Sequence, residues 1–223
     1  MLSLLSQFSN SWISGILISL GLTFFAIIIG GFLAVVLTAI KSYKLPILSQ
    51  FVDLYLFVVR GTPFLIQLFI IYYGPLQFPS ISNSIVAFLF QSAFACALIA
   101  LAINTSSYTT TLFLGAINNL PKGEVQAAEA LGLTKGNIFF SILLPRMFYR
   151  VLPAYSNEIL MVLKCSALVS SISVLDIMGV TRQVMSFSYE IIPSLAIAGS
   201  IYIFISLLIG VSFKYLASKN SYH

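Results

Sequence analysis

Charge is what this chain has least of. Only 8% of its 223 residues are Asp, Glu, Lys or Arg, against roughly 25% in soluble domains. So few charges cannot clothe a water-facing surface, which argues against a soluble globule with one oversized core. Histidine occurs once, as the terminal His223, and this excludes a histidine-based catalytic centre. Clustered carboxylates are missing too, so a membrane enzyme is disfavoured and no residue is assigned as catalytic. The two cysteines, Cys96 and Cys165, lie in apolar sequence without metal-ligand spacing. They read as inert buried thiols, and no metal site is expected. No G-x-x-x-x-G-K-[ST] phosphate loop is present, so any nucleotide hydrolysis must come from another chain. The formal charge of +5 comes with no dense basic run and no nucleic-acid-binding signature. No internal repeat and no low-complexity linker divides the sequence, which is read as one domain over residues 1–223.

What is present is apolar length. Hydrophobic residues make up 59% of the chain and the mean hydropathy is +1.03. Residues 1–40, 61–121 and 191–213 carry no charge, and a spanning helix needs about 20 mostly apolar residues. The pattern predicts an all-α polytopic membrane protein with five transmembrane helices. The first runs from Trp12 to Ile40, closed by Lys41 and Lys44. The second runs from Asp53 to Tyr73 and stops at Gly74-Pro75. The third runs from Ser84 to Ile103, with an extension toward Leu114. The fourth runs from Val151 to Ser170 and the fifth from Ile192 to Tyr215. Met1–Ser11 lacks a positive n-region and the apolar run after it is too long for a signal peptide, so a cleaved leader is not expected.

Lysine and arginine collect on the cytoplasmic side of spanning segments. An outside N-terminus and an inside C-terminus place Lys41, Lys44, Lys122, Lys135, Arg146, Arg150, Lys214 and Lys219 inside, and leave only Arg182 clearly outside. The reverse orientation inverts the bias. The expectation is therefore a periplasmic N-terminus and a cytoplasmic C-terminus, with Trp12, Tyr72 and Tyr73 near the outer interface.

The connection from Thr105 to Arg150 is far longer than a turn needs, and its composition predicts structure. Pro121 suits a helix start. Glu124-Val-Gln-Ala-Ala-Glu-Ala-Leu is rich in helix formers. Gly132 falls where a left-handed cap belongs, Thr134 is placed to cap a second short helix from Lys135, and Pro145 marks its end or a kink. The expected product is a helix–turn–helix module on the cytoplasmic side.

This module carries a resemblance. Gln126-Ala127-Ala128, three residues, Gly132, nine residues and Ile142-Leu-Leu-Pro145 resemble the E-A-A, three residues, G, nine residues, I-x-L-P loop of bacterial ABC importer permeases. The first position departs from the pattern, with Gln126 in place of glutamate. The resemblance implies a coupling loop, about residues 117–147, that seats on an ATPase subunit. Its contact residues would be Glu124, Gln126, Ala127, Ala128, Glu129, Gly132 and Pro145: the alanines for close approach, the acids as rim charges. Arg60-Gly-Thr-Pro-Phe-Leu-Ile-Gln67, Ile71-Tyr-Tyr-Gly-Pro and Leu152–Leu168 are similar to polar amino acid permeases of the histidine, glutamine and arginine type. Tyr72–Pro79, Cys96–Leu101, Tyr108-Thr-Thr and Tyr155-Ser-Asn-Glu158 are most like the M-type subunits of arginine importers.

The implied function is import of a polar, basic amino acid (arginine, with histidine and lysine as options) across a bacterial inner membrane. The implied partners are an ABC ATPase, which binds ATP and Mg, a periplasmic solute-binding protein and a second permease subunit. For that subunit a sister chain is preferred over an identical copy. The chain itself holds no cofactor, sits in lipid and takes no nucleic acid. A secondary transporter or channel is the alternative; it is disfavoured because no inverted repeat is visible and the inner module has no task in it.

Charges within spans mark cavities or partners. Asn157 and Lys164, seven apart, share a helix face, while Glu158 is turned about 100° from Asn157. Glu158 and Lys164 are therefore poorly placed to pair within their helix, and each needs another partner. Two readings of Glu158 stand level: selection of a cationic substrate, or an acid satisfied within the bundle. Structural or gating roles are favoured for Arg60 and Lys164. Thr62, Gln67, Asn104 and Tyr108 complete the candidate pathway.

Overall fold

The structure is a computed structural model describing residues 2–43 and 45–220. Lys44 and His223 lie outside the described residues, as do the side chains of Lys122 and Lys219. In chain order the helices are α1 (Leu2–Gln7), α2 (Ser9–Ser42), α3 (Pro46–Gly61), α4 (Phe64–Tyr73), α5 (Pro79–Ser82) and α6 (Ala87–Gln91). There follow α7 (Ala93–Asn118), α8 (Lys122–Ala130), α9 (Lys135–Ile138), α10 (Leu144–Ser166), α11 (Ile177–Ser188) and α12 (Ile191–Asn220).

Among the described residues three helices, α2, α7 and α12, are long and apolar enough to cross a membrane, and the number reaches five if each of two bent pairs is one span. α7 is the centre: 61% of its apolar window is buried, against 28% for α2 and 22% for α12. Its sequence explains why. Ala97, Ala100, Ala102, Thr105, Ser106, Ser107, Thr109 and Thr110 are small and buried, so neighbouring backbones come close on several sides. Lipid tails are as apolar as leucine, and packing of small residues is then what holds helices together. α2 answers with Ala26, Gly30 and Ala34, spaced at fours on one face, while Gly15 and Ser19 of the same helix meet Asp176 and Ile177 at the start of α11. The outer faces of α2 and α12 carry Phe24, Phe32, Ile203, Phe204 and Val211, all exposed, as lipid-facing helices require.

The second span departs from expectation. It is not one helix from Asp53 to Tyr73 but two, α3 and α4, meeting at 105°. The cause is local: Pro63 biases Thr62 away from helical backbone, and Thr62 is extended at φ −114°, ψ 141°. The third span starts at Ala93 rather than Ser84, because Ser92 is the extended residue that caps it, accepting from Ala95 N at 3.3 Å. The fourth starts earlier than Val151. A π-helix at Phe139–Leu143 joins α9 to α10 without a break, and Pro145, which has no N–H to give to the preceding turn, falls just after it. Beyond α10 a 3₁₀ turn (Ala167–Ile172) and left-handed Ser173 lead into α11, an element the sequence reading left unassigned. Asp176, fully buried, starts it by accepting from Gly179 N at 2.9 Å. Trp12, expected at the outer interface, is 3% exposed and packs in the cluster of Ile177, Val180, Val184 and Ile197.

Candidate functional site

The ends of α2 and α7, the start of α10 and all of α8 and α9 assemble at one end of the bundle. Leu120, Ala128, Ile138, Phe139 and Leu143 form a small core there, with Ala39 and Tyr43 of α2 against it. The turn between α8 and α9 has the anticipated local form. Gly132 sits at φ +76°, a left-handed conformation that costs other residues roughly 1–2 kcal/mol. Thr134 Oγ1 accepts from Asn137 N at 3.3 Å and caps α9. Leu131, 82% exposed, and Leu133 stand at the tip. Beside it a cavity of about 590 Å³ is lined by Glu124, Ala127, Leu131, Ser141, Pro145 and Arg146.

Two residues of this module face differently from expectation. Ala127 is exposed, but Ala128 is 4% exposed and packs inward against Ile138 and Phe139. Its small side chain brings α8 onto α9, not onto a foreign surface. Glu124 is not a free rim charge: it pairs with Arg146 at 3.2 Å, tying α8 to the first turn of α10. Gln126 and Glu129 are exposed. Arg150 donates to Asn119 O at 2.6 Å and covers the open end of α7.

A polar layer crosses the bundle at α7. Glu158 of α10 is 7% exposed and accepts from Thr105 Oγ1 at 2.7 Å. One residue earlier on α7, Asn104 Nδ2 donates to Gln67 Oε1 at 3.0 Å. Gln67 Nε2 in turn donates to Val59 O at 2.6 Å and Thr62 Oγ1 at 2.8 Å. Arg60 Nη1 donates to Thr111 Oγ1 at 3.1 Å, with the guanidinium carbon 5.5 Å from the centroid of the Tyr108 ring. Tyr55 donates to Ile103 O at 2.8 Å.

The candidate pathway residues thus divide. Thr62, Gln67 and Asn104 are joined to one another across the α3–α4 break. Arg60 and Tyr108 meet on the adjacent turn of α7. Asn157 and Lys164 share the exposed face of α10. Glu158 is turned away from that face, toward α7, so within this chain it is a buried acid with a threonine partner and does not line an open surface. Thr105, Thr111 and Asp176 were not singled out from sequence. The small-residue run from Thr105 to Thr111 was the available signal for the first two, and the Asp176-x-x-Gly179 spacing of a helix cap for the third. Among the described residues, no group of three or more His, Cys, Asp or Glu is gathered to hold a metal.

Together these elements make an all-α bundle with helices of membrane-spanning length and a two-helix module at one end. The profile of the family described as binding-protein-dependent transport system inner membrane component matches residues 26–222, and the chain belongs to that family. It is a multi-pass inner-membrane permease of the ABC class, non-catalytic, with ATP bound by a separate ATPase and with a binding protein as a further partner. The resemblance to ABC importer permeases of polar amino acids is borne out at the level of the family.

The chain is 40% identical over 207 residues to the arginine ABC transporter permease protein ArtM of Haemophilus influenzae, covering 93% of this chain and 91% of that one. It is 34% identical over 204 residues to the octopine transport system permease protein OccM of Rhizobium radiobacter, covering 92% and 83%. Among solved structures it aligns with a crystal structure of an amino acid ABC transporter with histidines at a TM-score of 0.84, with 29% identity and 96% of each chain covered.

Proposed function

We propose that this permease imports basic amino acids, arginine foremost, from a periplasmic binding protein to the cytoplasm, paired with a sister permease subunit. The observation that carries the substrate reading is the 40% identity to an arginine permease over 93% of the chain. The N-terminus lies outside and the C-terminus inside. Support for this comes from the gathering of Lys41, Arg146 and Arg150 at the end of the bundle that bears α8 and α9, as cytoplasmic ends require.

The α8–α9 module docks on the ATPase through the exposed tip of Leu131, Gly132 and Leu133 and the exposed faces of Gln126, Ala127 and Glu129. Movement there reaches the bundle directly, because α9, the π-helix and α10 are continuous and α10 carries Asn157, Glu158 and Lys164. Substrate passes along the exposed face of α10. Glu158 acts from behind that face as a fixed negative charge that favours cations.

The test is ATPase activity of the reconstituted complex, stimulated by binding protein loaded with arginine, lysine, histidine or glutamine. Arginine should stimulate most. Equal stimulation by glutamine, or no complex with an ATPase in mild detergent, defeats the reading.

A further inference from the structure

The break between α3 and α4 leaves the last carbonyls of α3 without helical partners, in an apolar stretch where an unmet polar group is costly. One side chain meets much of that need. Gln67 Nε2 reaches Val59 O at 2.6 Å, Thr62 O at 3.0 Å and Thr62 Oγ1 at 2.8 Å, while its Oε1 accepts from Asn104 at 3.0 Å. Thr62 Oγ1 itself donates to Val58 O at 2.9 Å. Both ends of the Gln67 amide are committed, one to the end of α3 and one to α7. The direction of the final turn of α3 against α7 is set at this residue.

Arg60 stands on that final turn. Its contacts with Thr111 and the Tyr108 face leave most of its five N–H donors unused. The side chain is exposed, and among the described residues no carboxylate lies within ion-pair distance of it. A guanidinium held in an apolar segment without an acid is costly and marks a place where an anion arrives. The Thr111 that it grips opens onto a cavity of about 500 Å³ between α7 and α10, floored by Gly115, Ala116 and Ala154, with Arg150 also on its lining.

We propose that Arg60 receives the α-carboxylate of the transported amino acid, and that Gln67 is the positioning residue that aims it. This rests on the amino-acid-importer reading. The planar fork of a guanidinium matches a carboxylate with two parallel hydrogen bonds. Every α-amino acid carries that group, so Arg60 recognises the common part of the substrate and leaves the side chain to be judged by other residues. No acid accompanies Arg60 because a resident carboxylate would occupy the same donors.

The test measures equilibrium binding of labelled arginine to the detergent-purified permease–ATPase complex without binding protein, competed by agmatine, which keeps the guanidinium and lacks the carboxylate. The wild type should prefer arginine by tenfold or more. Arg60→Gln should bring arginine down to the level of agmatine, and Arg60→Lys should keep only part of the preference. Gln67→Leu should also erase the ratio, whereas a general structural lesion weakens both ligands together. A wild type without the preference, or an Arg60 variant that retains it in full, overturns the proposal; if Arg60→Gln does not assemble, Arg60→Lys decides. Equal weakening of both ligands by Gln67→Leu overturns the positioning role. Amino acid uptake that persists while Arg60 proves irrelevant removes this inference alone. A complex that takes up no amino acid removes the importer reading with it.

Discussion

A single methyl group added at Gly30 probes the central seam of the bundle. At Gly30 the backbone of α2 lies close against α7. A Cβ there would meet Ala102 O at 2.8 Å and Ser106 N at 3.2 Å, and would press against the Thr105 methyl group. Ordinary carbon–oxygen contacts are about 3.3–3.6 Å, so the helices must part by roughly 0.5–1 Å. Two of the three obstacles are backbone and cannot rotate aside. Overpacking of this kind costs about 1–3 kcal/mol, while Gly→Ala within a helix returns roughly 0.5–1 kcal/mol. Gly30→Ala should therefore be a net loss, and it should also disturb Thr105, the partner of Glu158. Gly21 lies on the same helix with nothing within 4 Å of its ideal Cβ, so Gly21→Ala should show the gain alone. The assay is the thermal midpoint of the detergent-solubilised complex, with transport measured in parallel. Gly30→Ala should lower the midpoint by several degrees, at about 2–4 °C per kcal/mol for a chain of this size, and should reduce uptake. Equal shifts for the two variants would refute the seam described above.

Three further outcomes follow from single residues. Gly132 has open space around its ideal Cβ but a φ of +76°, so Gly132→Val should weaken co-purification of the ATPase far more than Gly132→Asn, because asparagine tolerates that conformation; indistinguishable variants count against the role of the turn. Glu158→Gln keeps a hydrogen-bond acceptor for Thr105 and removes the charge, so uptake of arginine should fall more than uptake of a neutral amino acid, and parallel changes would end the selectivity argument. Asp176→Ala removes the buried cap on Gly179 N and should destabilise the complex by about 1–3 kcal/mol in thermal or denaturant unfolding, with Asp176→Asn milder; a neutral alanine variant would contradict the capping role.

The legible features were those decided by neighbours along the chain. Scarcity of charge and long apolar runs placed the protein in lipid, because no packing arrangement can hydrate a surface that lacks charges. Gly132 and Thr134 announced their turn and cap because left-handed backbone and an N-cap depend on two or three adjacent residues. The Gln126–Pro145 spacing and the Arg60–Gln67 stretch carried the family. Pro63 also contained the warning of a break, yet an apolar run of the right length reads as one span until the direction of each half is known.

Tertiary structure decided which partner each polar group found. Ala127 and Ala128 are adjacent and identical in type, yet one faces outward and the other the core of the module, because α8 rests on α9 and the π-helix. Glu124 became half of an internal ion pair only because α10 begins beside α8. Glu158, whose neighbour Asn157 faces outward, turned toward Thr105, 53 positions away in the chain. Gln67 closed a corner whose acceptors lie five and eight residues back and whose other partner lies on α7. Sequence by itself determined the solvent, the local turns and the family of this protein. The orientation of its few charges required three dimensions, because a polar group in an apolar medium goes wherever the nearest hydrogen-bond partner is brought, and only the packing of the helices brings it.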